Sequence, residues 1–501
     1  MARLDPALLA QLNSWYAPWR GIRACVLGLG VAGFAAADVL AELGVTTRVF
    51  AQRGDVEKEK ILSVLDVTSC IGDNEAQLAA LREFDPQLII VSPGYRPYNP
   101  LLLWAAQAGI TVWGDIEFAW RVRDKVYTAE WLCITGTNGK TTTAQLTATM
   151  LVSSGAKAAP VGNIGVPVLD AIRDPEGFDA LVVELSSFQL HWLDTVRPYA
   201  SCVLNIARDH LDWHGSYEAY IAAKAKIFER TKTACVYNRH EEIIETLLMQ
   251  ADVQEGARAV GFGLDTPARS ELGVVEGILV DRGYHAARGT TALELVTLSE
   301  LHEAGLAQPH TVANVLAAAA LARAYGVAPT DIKRAVLGFV PDKHRVEPVA
   351  KQNGVLWVDD SKATNSHAAD AALSAVASTV WIMGGDFKGT DIVPLLTKHV
   401  KKLRAVVVIG ANSQETAGLV RRVCPELTVA QVAAEDAEGA KLTGDAVMER
   451  AVVSAANYAL AGDTVLLAPA AASIDQFGGY AERGLAFARA VQQLLGVPGE
   501  Q

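Results

Sequence analysis

Cys133-Ile134-Thr135-Gly136-Thr137-Asn138-Gly139-Lys140-Thr141-Thr142-Thr143 is the stretch on which the reading of this chain turns. A strand-like run from Trp131 to Thr135 enters a glycine turn, then a Lys-Thr pair, then a helical pattern from Thr142 to about Val152. That order builds a phosphate cradle. Glycines let backbone N–H groups approach an anion, the helix start adds a positive dipole, Lys140 adds a full charge, and the Thr141 hydroxyl can hold Mg2+. Thr137, Asn138, Gly139, Lys140, Thr141 and Thr142 are therefore candidate ligands of a nucleoside triphosphate. Only Thr137 and Asn138 separate Gly136 from Gly139, so the loop is shorter than the common G-x-x-x-x-G-K-[ST] form, but its Gly-Lys-Thr end is intact.

The regions on either side read as α/β. Upstream, strand patterns at Arg23–Leu27, Thr46–Phe50, Leu88–Val91 and Thr111–Trp113 alternate with helices, one from Phe34 to Leu43 stopped by Gly44 and one through Ala119, as in a parallel Rossmann-type sheet. The unit with the Lys140 loop begins near Lys125, with further strands at Ala180–Glu184 and Ser201–Asn205 and an Ala-rich helix from Ala313 to Ala324. The stretch from Gly261 to Gly305 predicts a small antiparallel insertion. A third unit follows Pro341, with strands at Leu356–Asp359, Thr379–Met383, Ala405–Ile409 and Thr464–Ala468. The expected division is 1–124, 125–340 and 341–501, which suits a chain of 501 residues.

A net charge of −12 argues against a general nucleic-acid binder, because phosphate contacts need clustered cations. The six cysteines are scattered without C-x-x-C, which predicts buried thiols in a reducing compartment. No signal-peptide pattern opens the chain and no apolar run is long enough to span a bilayer, so the expectation is a cytoplasmic protein.

Several strand ends carry chemistry-bearing residues. Gly28-Leu29-Gly30-Val31-Ala32-Gly33 fits a dinucleotide turn, but the second strand ends Val49-Phe50-Ala51-Gln52-Arg53 without the acid that an NAD site needs. A different phosphate ligand and a turn needed only for packing both stay open. Glu184 ends a buried apolar strand, where a carboxylate is costly unless paired or bound to a metal. It reads as a Mg2+ ligand or a satisfied structural acid. His210 and His214 are spaced i, i+4, but with no Glu between them and no cysteine pair nearby zinc is disfavoured. Lys224 and Lys226 read, on their own, as a solvated helix face. In the third unit, Asp359 to Asn365, Gly384 to Gly389 and Ala468 to Phe477 are three turns at strand ends. Together they outline a crevice with cations Lys362 and Lys388 and hydroxyls Thr364 and Ser473, suited to a small acidic substrate.

These motifs resemble those of the Mur ligases, ATP-dependent amino-acid ligases of peptidoglycan precursor synthesis. The short Gly136 to Thr141 loop is followed in family order by Gly162-Asn163-Ile164-Gly165, Glu184 to Leu190, Asp209-His210, Ala222-Ala223-Lys224, His344-Arg345, Asp360 to Asn365 and Ser473 to Phe477. Within the family the motifs look most like those of the member that adds D-glutamate to UDP-N-acetylmuramoyl-L-alanine, in its actinobacterial form. The resemblance implies three domains: a Rossmann-like UDP-binding domain, a P-loop ATPase and a Rossmann-like amino-acid-binding domain. It implies ATP contacts from the loop and from Asn314, Arg345 and Asp360. It implies a UDP-substrate site at Gly30, Val31, Ala32, Arg53, Ser92, Gly94, Asn163 and His210, and a glutamate site at Lys362, Thr364, Lys388, Ser473 and Tyr480. Two Mg2+ ions are implied, one on Thr141 and Glu184, one on His210 and a carbamylated Lys224. Lys140, His210 and Lys224 would be the catalytic set, making an acyl phosphate that the glutamate amine attacks, with domain closure excluding water. The expected protein is a monomer whose partners are its small substrates, with no nucleic acid.

The chain departs from the family at Ala51 and Gln52, where better-known members carry an Asp for the uracil, and at Thr311, Arg208 and Tyr480. Rival readings are a same-fold ligase for L-glutamate or another amino acid, a catalytically silent nucleotide-binding scaffold, and an NAD oxidoreductase.

Overall fold

In a computed structural model, which describes residues 3–435 and 440–496, the apolar runs become strands of three sheets. The first has five parallel strands, β1 (Arg23–Leu27), β2 (Thr46–Ala51), β3 (Thr68–Ile71), β4 (Leu88–Val91) and β5 (Thr111–Gly114), in the order β3-β2-β1-β4-β5. β4 is buried along its whole length and β1 along all but its first residue, as expected of strands covered on both faces. The strand order reverses between β1 and β4, and such a switch point opens a crevice at the strands' C-terminal ends. The sequence reading lacked β3, a largely exposed edge strand with no apolar run to mark it. The helix after the glycine turn starts at Val31, not Phe34, because Gly30 is its N-cap.

The second sheet has nine strands: β6 (Glu130–Thr135), β7 (Ala158–Gly162), β8 (Ala180–Glu184), β9 (Ala200–Val203), β10 (Ala234–Asn238), β11 (Arg258–Phe262), β12 (Glu271–Val275), β13 (Ile278–Asp281) and β14 (Leu293–Thr297). Their order is β14-β13-β12-β11-β10-β9-β6-β8-β7. The expected antiparallel pairing is present in β12, β13 and β14, but these strands are no separate insertion: β12 pairs parallel with β11 and extends the main sheet. The reversal is made at Glu276-Gly277, both at positive φ (49° and 80°), which is the backbone of a two-residue hairpin turn.

The third sheet comprises β15 (Glu347–Gln352), β16 (Val355–Asp359), β17 (Thr379–Gly384), β18 (Leu403–Ile409), β19 (Thr428–Gln431) and β20 (Thr464–Leu467), ordered β15-β16-β20-β17-β18-β19. All pairings are parallel except that of the edge strand β15.

The first two sheets belong to one compact unit, formed by the chain up to residue 206 and by 213–339. Residues 207–212 group instead with the chain from 340 onward. Within the first unit the helix Asp115–Arg121 is buried along its whole length. Trp120 meets Trp131 edge to face at 5.0 Å, and Arg173 pairs with Asp38 at 2.6 Å. The Ala-rich helix Pro309–Tyr325 runs against the helix Lys140–Ser153. Its fully buried stretch Ala317 to Ala322 is nearly all alanine, and such small side chains permit close approach. No described helix is long and apolar enough to cross a membrane. All six cysteines are free thiols and five are buried.

Candidate active site

β6 lies between β8 and β9, so the loop after β6 emerges beside the ends of both. Register places Ile134 opposite Glu184 and Thr135 opposite Val203. The helix that follows begins at Lys140, two residues earlier than its pattern suggested, so Lys140 and Thr141 occupy its first turn. Gly139, its N-cap, has φ +83°, where a side chain is strained. Lys140 Nζ donates to the carbonyls of Gly136 (2.9 Å) and Thr137 (3.0 Å), folded over its own loop.

Glu184 is 2 % exposed. One carboxylate oxygen accepts from Asn163 Nδ2 at 3.0 Å, and the other is buried without a hydrogen-bond partner. Such an oxygen is costly in a fold unless something else takes it. Thr141 is buried as well. A spare carboxylate oxygen and a hydroxyl, at the end of β8 and on the first turn after β6, are donors a hard cation such as Mg2+ takes, and the residues fit that ion.

Lys224 corrects the residue-level expectation of a solvated face: it is 2 % exposed. Its Nζ donates to Thr135 Oγ1 (3.3 Å) and lies 4.9 Å above the Tyr220 ring. The helix Tyr217–Ala225 turns this face inward, and the Tyr220 hydroxyl meets that of Thr137 in the loop at 2.8 Å. Lys224 is thus brought to the loop. His214 binds Ser187 Oγ at 2.9 Å, an ordinary polar contact.

At the first sheet the three glycines divide their roles. A Cβ on Gly28 would strike Ser92 Oγ at 2.6 Å, and one on Gly33 would run into the Gly28 carbonyl. Both serve close packing. Gly30 has open space around it, and Val31 beyond it is exposed, so the helix N-terminus is accessible to an anion. Ser92 Oγ is buried without a partner beside that turn, Gly94 follows it, and Arg53 is exposed past the end of β2.

In the C-terminal unit the three strand-end turns are joined. Ala470 N–H donates to Ala363 O (2.9 Å), Gly384 N–H to Pro469 O (2.9 Å), and Asp386 and Ala472 exchange both backbone bonds. Asp360 is buried, and burial pushes its carboxyl up to about 7, against the pull of the Val346 N–H and Arg345. The His344 imidazole bonds Asp359 at 2.6 Å, and that carboxylate raises its pKa. Lys388 Nζ lies 3.8 Å from Asp209, which Asn365 Nδ2 also approaches at 3.4 Å. His210, with φ +53°, sits beside Asp209 in this unit. Lys362 Nζ lies 5.0 Å over the Tyr480 ring. Ser473 is buried, while Thr364 is half-buried.

Sequence reasoning missed three residues that hold these features in place. Asn205 clamps the loop, accepting from Asn138 N–H (2.8 Å) and donating to Asn138 O (3.1 Å). Lys58 Nζ reaches Leu29 O in the first glycine turn at 3.3 Å. Arg483, 1 % exposed, bonds Ser361 Oγ, Ser361 O and Ala471 O, stitching two turns together, and burial lowers its pKa to about 10. Asn205 follows a strand and had a signal; Arg483 lies inside a helix and had none.

A buried acid with a spare oxygen beside a Gly-Lys-Thr loop is the arrangement suited to a metal-bound nucleotide phosphate. The chain belongs to the Mur ligase family. Residues 23–114 match the Mur ligase MurD-like N-terminal domain, 134–322 the Mur ligase middle domain, and 344–471 the Mur ligase glutamate ligase domain. It is 54 % identical to the UDP-N-acetylmuramoylalanine--D-glutamate ligase of Leifsonia xyli subsp. xyli, over 97 % of this chain and 96 % of that protein. To the protein of the same name from Streptomyces avermitilis it is 48 % identical over 95 % and 99 %. Among solved structures, the UDP-N-acetylmuramate-alanine ligase MurC of Thermotoga maritima shares the fold, with TM-score 0.55 at 16 % identity over 94 % of this chain and all of that one. The MurF ligase of Thermotoga maritima in complex with ADP gives TM-score 0.52 at 15 % identity, over 95 % and 96 %.

Proposed function

We propose that this chain is the ATP-dependent ligase that adds D-glutamate to UDP-N-acetylmuramoyl-L-alanine in peptidoglycan precursor synthesis. The observation that carries the reading is the unpartnered Glu184 oxygen beside the Lys140 loop, on a chain 54 % identical to a ligase of that name. The substrate carboxylate attacks the γ-phosphorus of ATP and ADP leaves. The glutamate amine then attacks the acyl carbon, the C–O bond to phosphate breaks with its electron pair going to the departing phosphate, and the proton lost by the amine passes to that phosphate or to solvent as the amide forms. Lys140 swings from its loop carbonyls to the transferring phosphoryl group. Asn163, which bonds Glu184, is assigned to the muramoyl substrate, and Gly30, Val31, Ala32, Arg53, Ser92 and Gly94 to the UDP. Lys362, Thr364, Lys388, Ser473 and Tyr480 hold the incoming glutamate, and Asn314, Arg345 and Asp360 contact ATP.

Thr141 and Glu184 would hold Mg2+, which screens the repulsion between carboxylate and triphosphate. A carbamate on Lys224 would turn a buried cation into an anionic oxygen donor, and His210 is a further proposed donor, for two ions in all. The family segments at 23–114, 134–322 and 344–471 support domains at 1–124, 125–340 and 341–501. A cytoplasmic monomer, supplied there with ATP, is the form we assign.

The test is ADP release with UDP-N-acetylmuramoyl-L-alanine and a panel of D- and L-amino acids. Release that requires both substrates and prefers D-glutamate is expected. Preference for L-glutamate or another amino acid would overturn the substrate assignment, and no release at saturation would favour a silent scaffold.

A further inference from the structure

Gln189 has a carboxamide that can face either way, and one residue decides which. Its Nε2 donates to Asp115 Oδ2 at 3.0 Å. Its Oε1 accepts from Ser186 N–H (3.1 Å) and from Ser186 Oγ (3.2 Å), while Gln189 N–H donates to Ser186 Oγ (3.2 Å). This closes a capping box at the start of the helix Ser187–His191. Ser186 is two residues beyond Glu184.

An ionised carboxylate only accepts hydrogen bonds. Asp115 therefore requires the NH2 end of Gln189 to face it, which leaves Oε1 for Ser186. Turned over, Gln189 would set an oxygen against a carboxylate and a donor against the Ser186 N–H. Asp115 is a costly residue for this place. It is buried, its Oδ1 has no hydrogen-bond partner, and burial pushes its carboxyl up to about 6 against the pull of Gln189 and the first-turn amides.

Docking of the helix Asp115–Arg121 does not need it. Glu117, two residues further in and fully buried, accepts from Asp194 N–H and Thr195 N–H (2.9 Å each), Thr195 Oγ1 (2.5 Å) and Arg121 Nε (2.8 Å). The three bonds from Asp194 and Thr195 hold that helix from outside, the Arg121 bond lying within it, whereas Asp115 makes one side-chain bond to another side chain, aimed at the turn behind Glu184.

We propose that Asp115 is a positioning residue for the ligase reaction, fixing the Gln189 carboxamide so that the Ser186 turn holds Glu184 in place. The inference rests on the ligase reading above. It places a control on the phosphate-handling edge in the last helix of the UDP-binding domain, outside every site motif.

The test is a charge-transposition cycle in the full chain: Asp115→Asn, Gln189→Glu, and both together. Gln189→Glu alone sets two acceptors face to face and should lower kcat by roughly tenfold or more, from one buried unsatisfied group. In the double variant the amide introduced at position 115 donates to the carboxylate introduced at position 189. The other oxygen of that carboxylate still accepts from Ser186, so kcat should return to within a few-fold of wild type. KM for ATP should move little throughout, since the Lys140 loop is untouched. Hydrogen exchange at the Ser186 amide is the readout independent of turnover: protection should fall in Gln189→Glu and return in the double variant. A double variant no better than Gln189→Glu in both readouts would overturn the proposal. So would an equal loss of kcat and thermal stability in every variant, which marks a packing role. If the wild-type chain makes no amide, the ligase reading fails by itself, while the exchange pattern still decides whether Asp115 orients Gln189.

Discussion

Gly139→Ala tests the nucleotide loop at its tightest point. The residue has φ +83°, and placing an L side chain in the left-handed region costs about 1–2 kcal/mol. The new methyl would also sit 3.2 Å from Asn314 Cγ and 3.3 Å from its Nδ2, and closer still to Oδ1. Asn314 is buried on the helix Pro309–Tyr325, so its carboxamide can yield only by leaving its rotamer, for about 0.5–1.5 kcal/mol. The expected loss of unfolding free energy is therefore about 1.5–3.5 kcal/mol, read by denaturant titration of the full chain. The two contributions separate in a double variant: Asn314→Ala removes the obstruction and leaves the backbone cost, so it should recover about 0.5–1.5 kcal/mol in the Gly139→Ala background. ADP affinity, measured by calorimetry, should fall about tenfold or more in Gly139→Ala, because the N–H groups proposed to cradle phosphate turn with the strained residue. A loss below about 0.5 kcal/mol, or strictly additive variants, would refute the geometry from which these numbers come.

Lys224→Ala should abolish ADP release, and short carboxylic acids added to the assay should restore part of it by standing in for the proposed carbamate; turnover equal to wild type would remove Lys224 from the machinery. Asp115 should make stability depend on pH. Its carboxyl is raised from 3.8 to about 6 in the fold, so the native state binds the proton first and stability falls as pH rises through that window, by about 3 kcal/mol at roughly 1.4 kcal/mol per unit. Chemical denaturation from about pH 3.5 to about pH 7.5 should show this slope in wild type and lose it in Asp115→Asn. The His344–Asp359 pair has its own window: because Asp359 raises the His344 pKa, its stabilisation is complete below the unfolded value of 6.5 and disappears as pH rises through the folded one. His344→Gln should flatten that part of the profile, and an unchanged profile would show that the pair contributes no linkage.

What was legible in the sequence is what local pattern records. The strand, glycine turn and Lys-Thr pair gave away the strand–turn–helix form of the Lys140 loop without any neighbour, and apolar runs ending in polar turns located β1, β8, β16, β17 and β20 to within a residue or two. β3 escaped because an exposed edge strand carries no apolar run. The β12–β14 region was seen as antiparallel but not as part of the main sheet, since pairing between β11 and β12 is a long-range choice that neither segment encodes alone. Lys224 was misjudged on its own pattern because a lysine near helix polar positions looks solvated. Its approach to Thr135, brought from another element, and to the Tyr220 ring forms once the chain has folded. Arg483 escapes local pattern for a related reason, and the roles of Asn205 and Gln189 do too: each acts by holding a turn or loop through bonds that form only once the chain has folded.

The polar groups of this fold divide by whether their hydrogen bonds are complete. Glu117 accepts four and Arg483 donates to three oxygens, and these residues hold helices and turns together. Glu184 keeps an oxygen without a partner, and Asp360 is held near neutrality by burial; both stand at strand C-termini, where α/β folds receive ligands. Other buried polar atoms also lack a partner, Asp115 Oδ1 among them, but Glu184 stands at the end of a strand. A cation at Glu184 or a charged partner at Asp360 would offset a cost the folded chain already carries. Binding energy at these positions then stabilises the protein as well as occupying the site, because the unfolded chain has no such cost to relieve. That difference explains why side chains of the same chemical type, Glu117 and Glu184, are both buried in one unit and yet only one of them is left able to take a ligand.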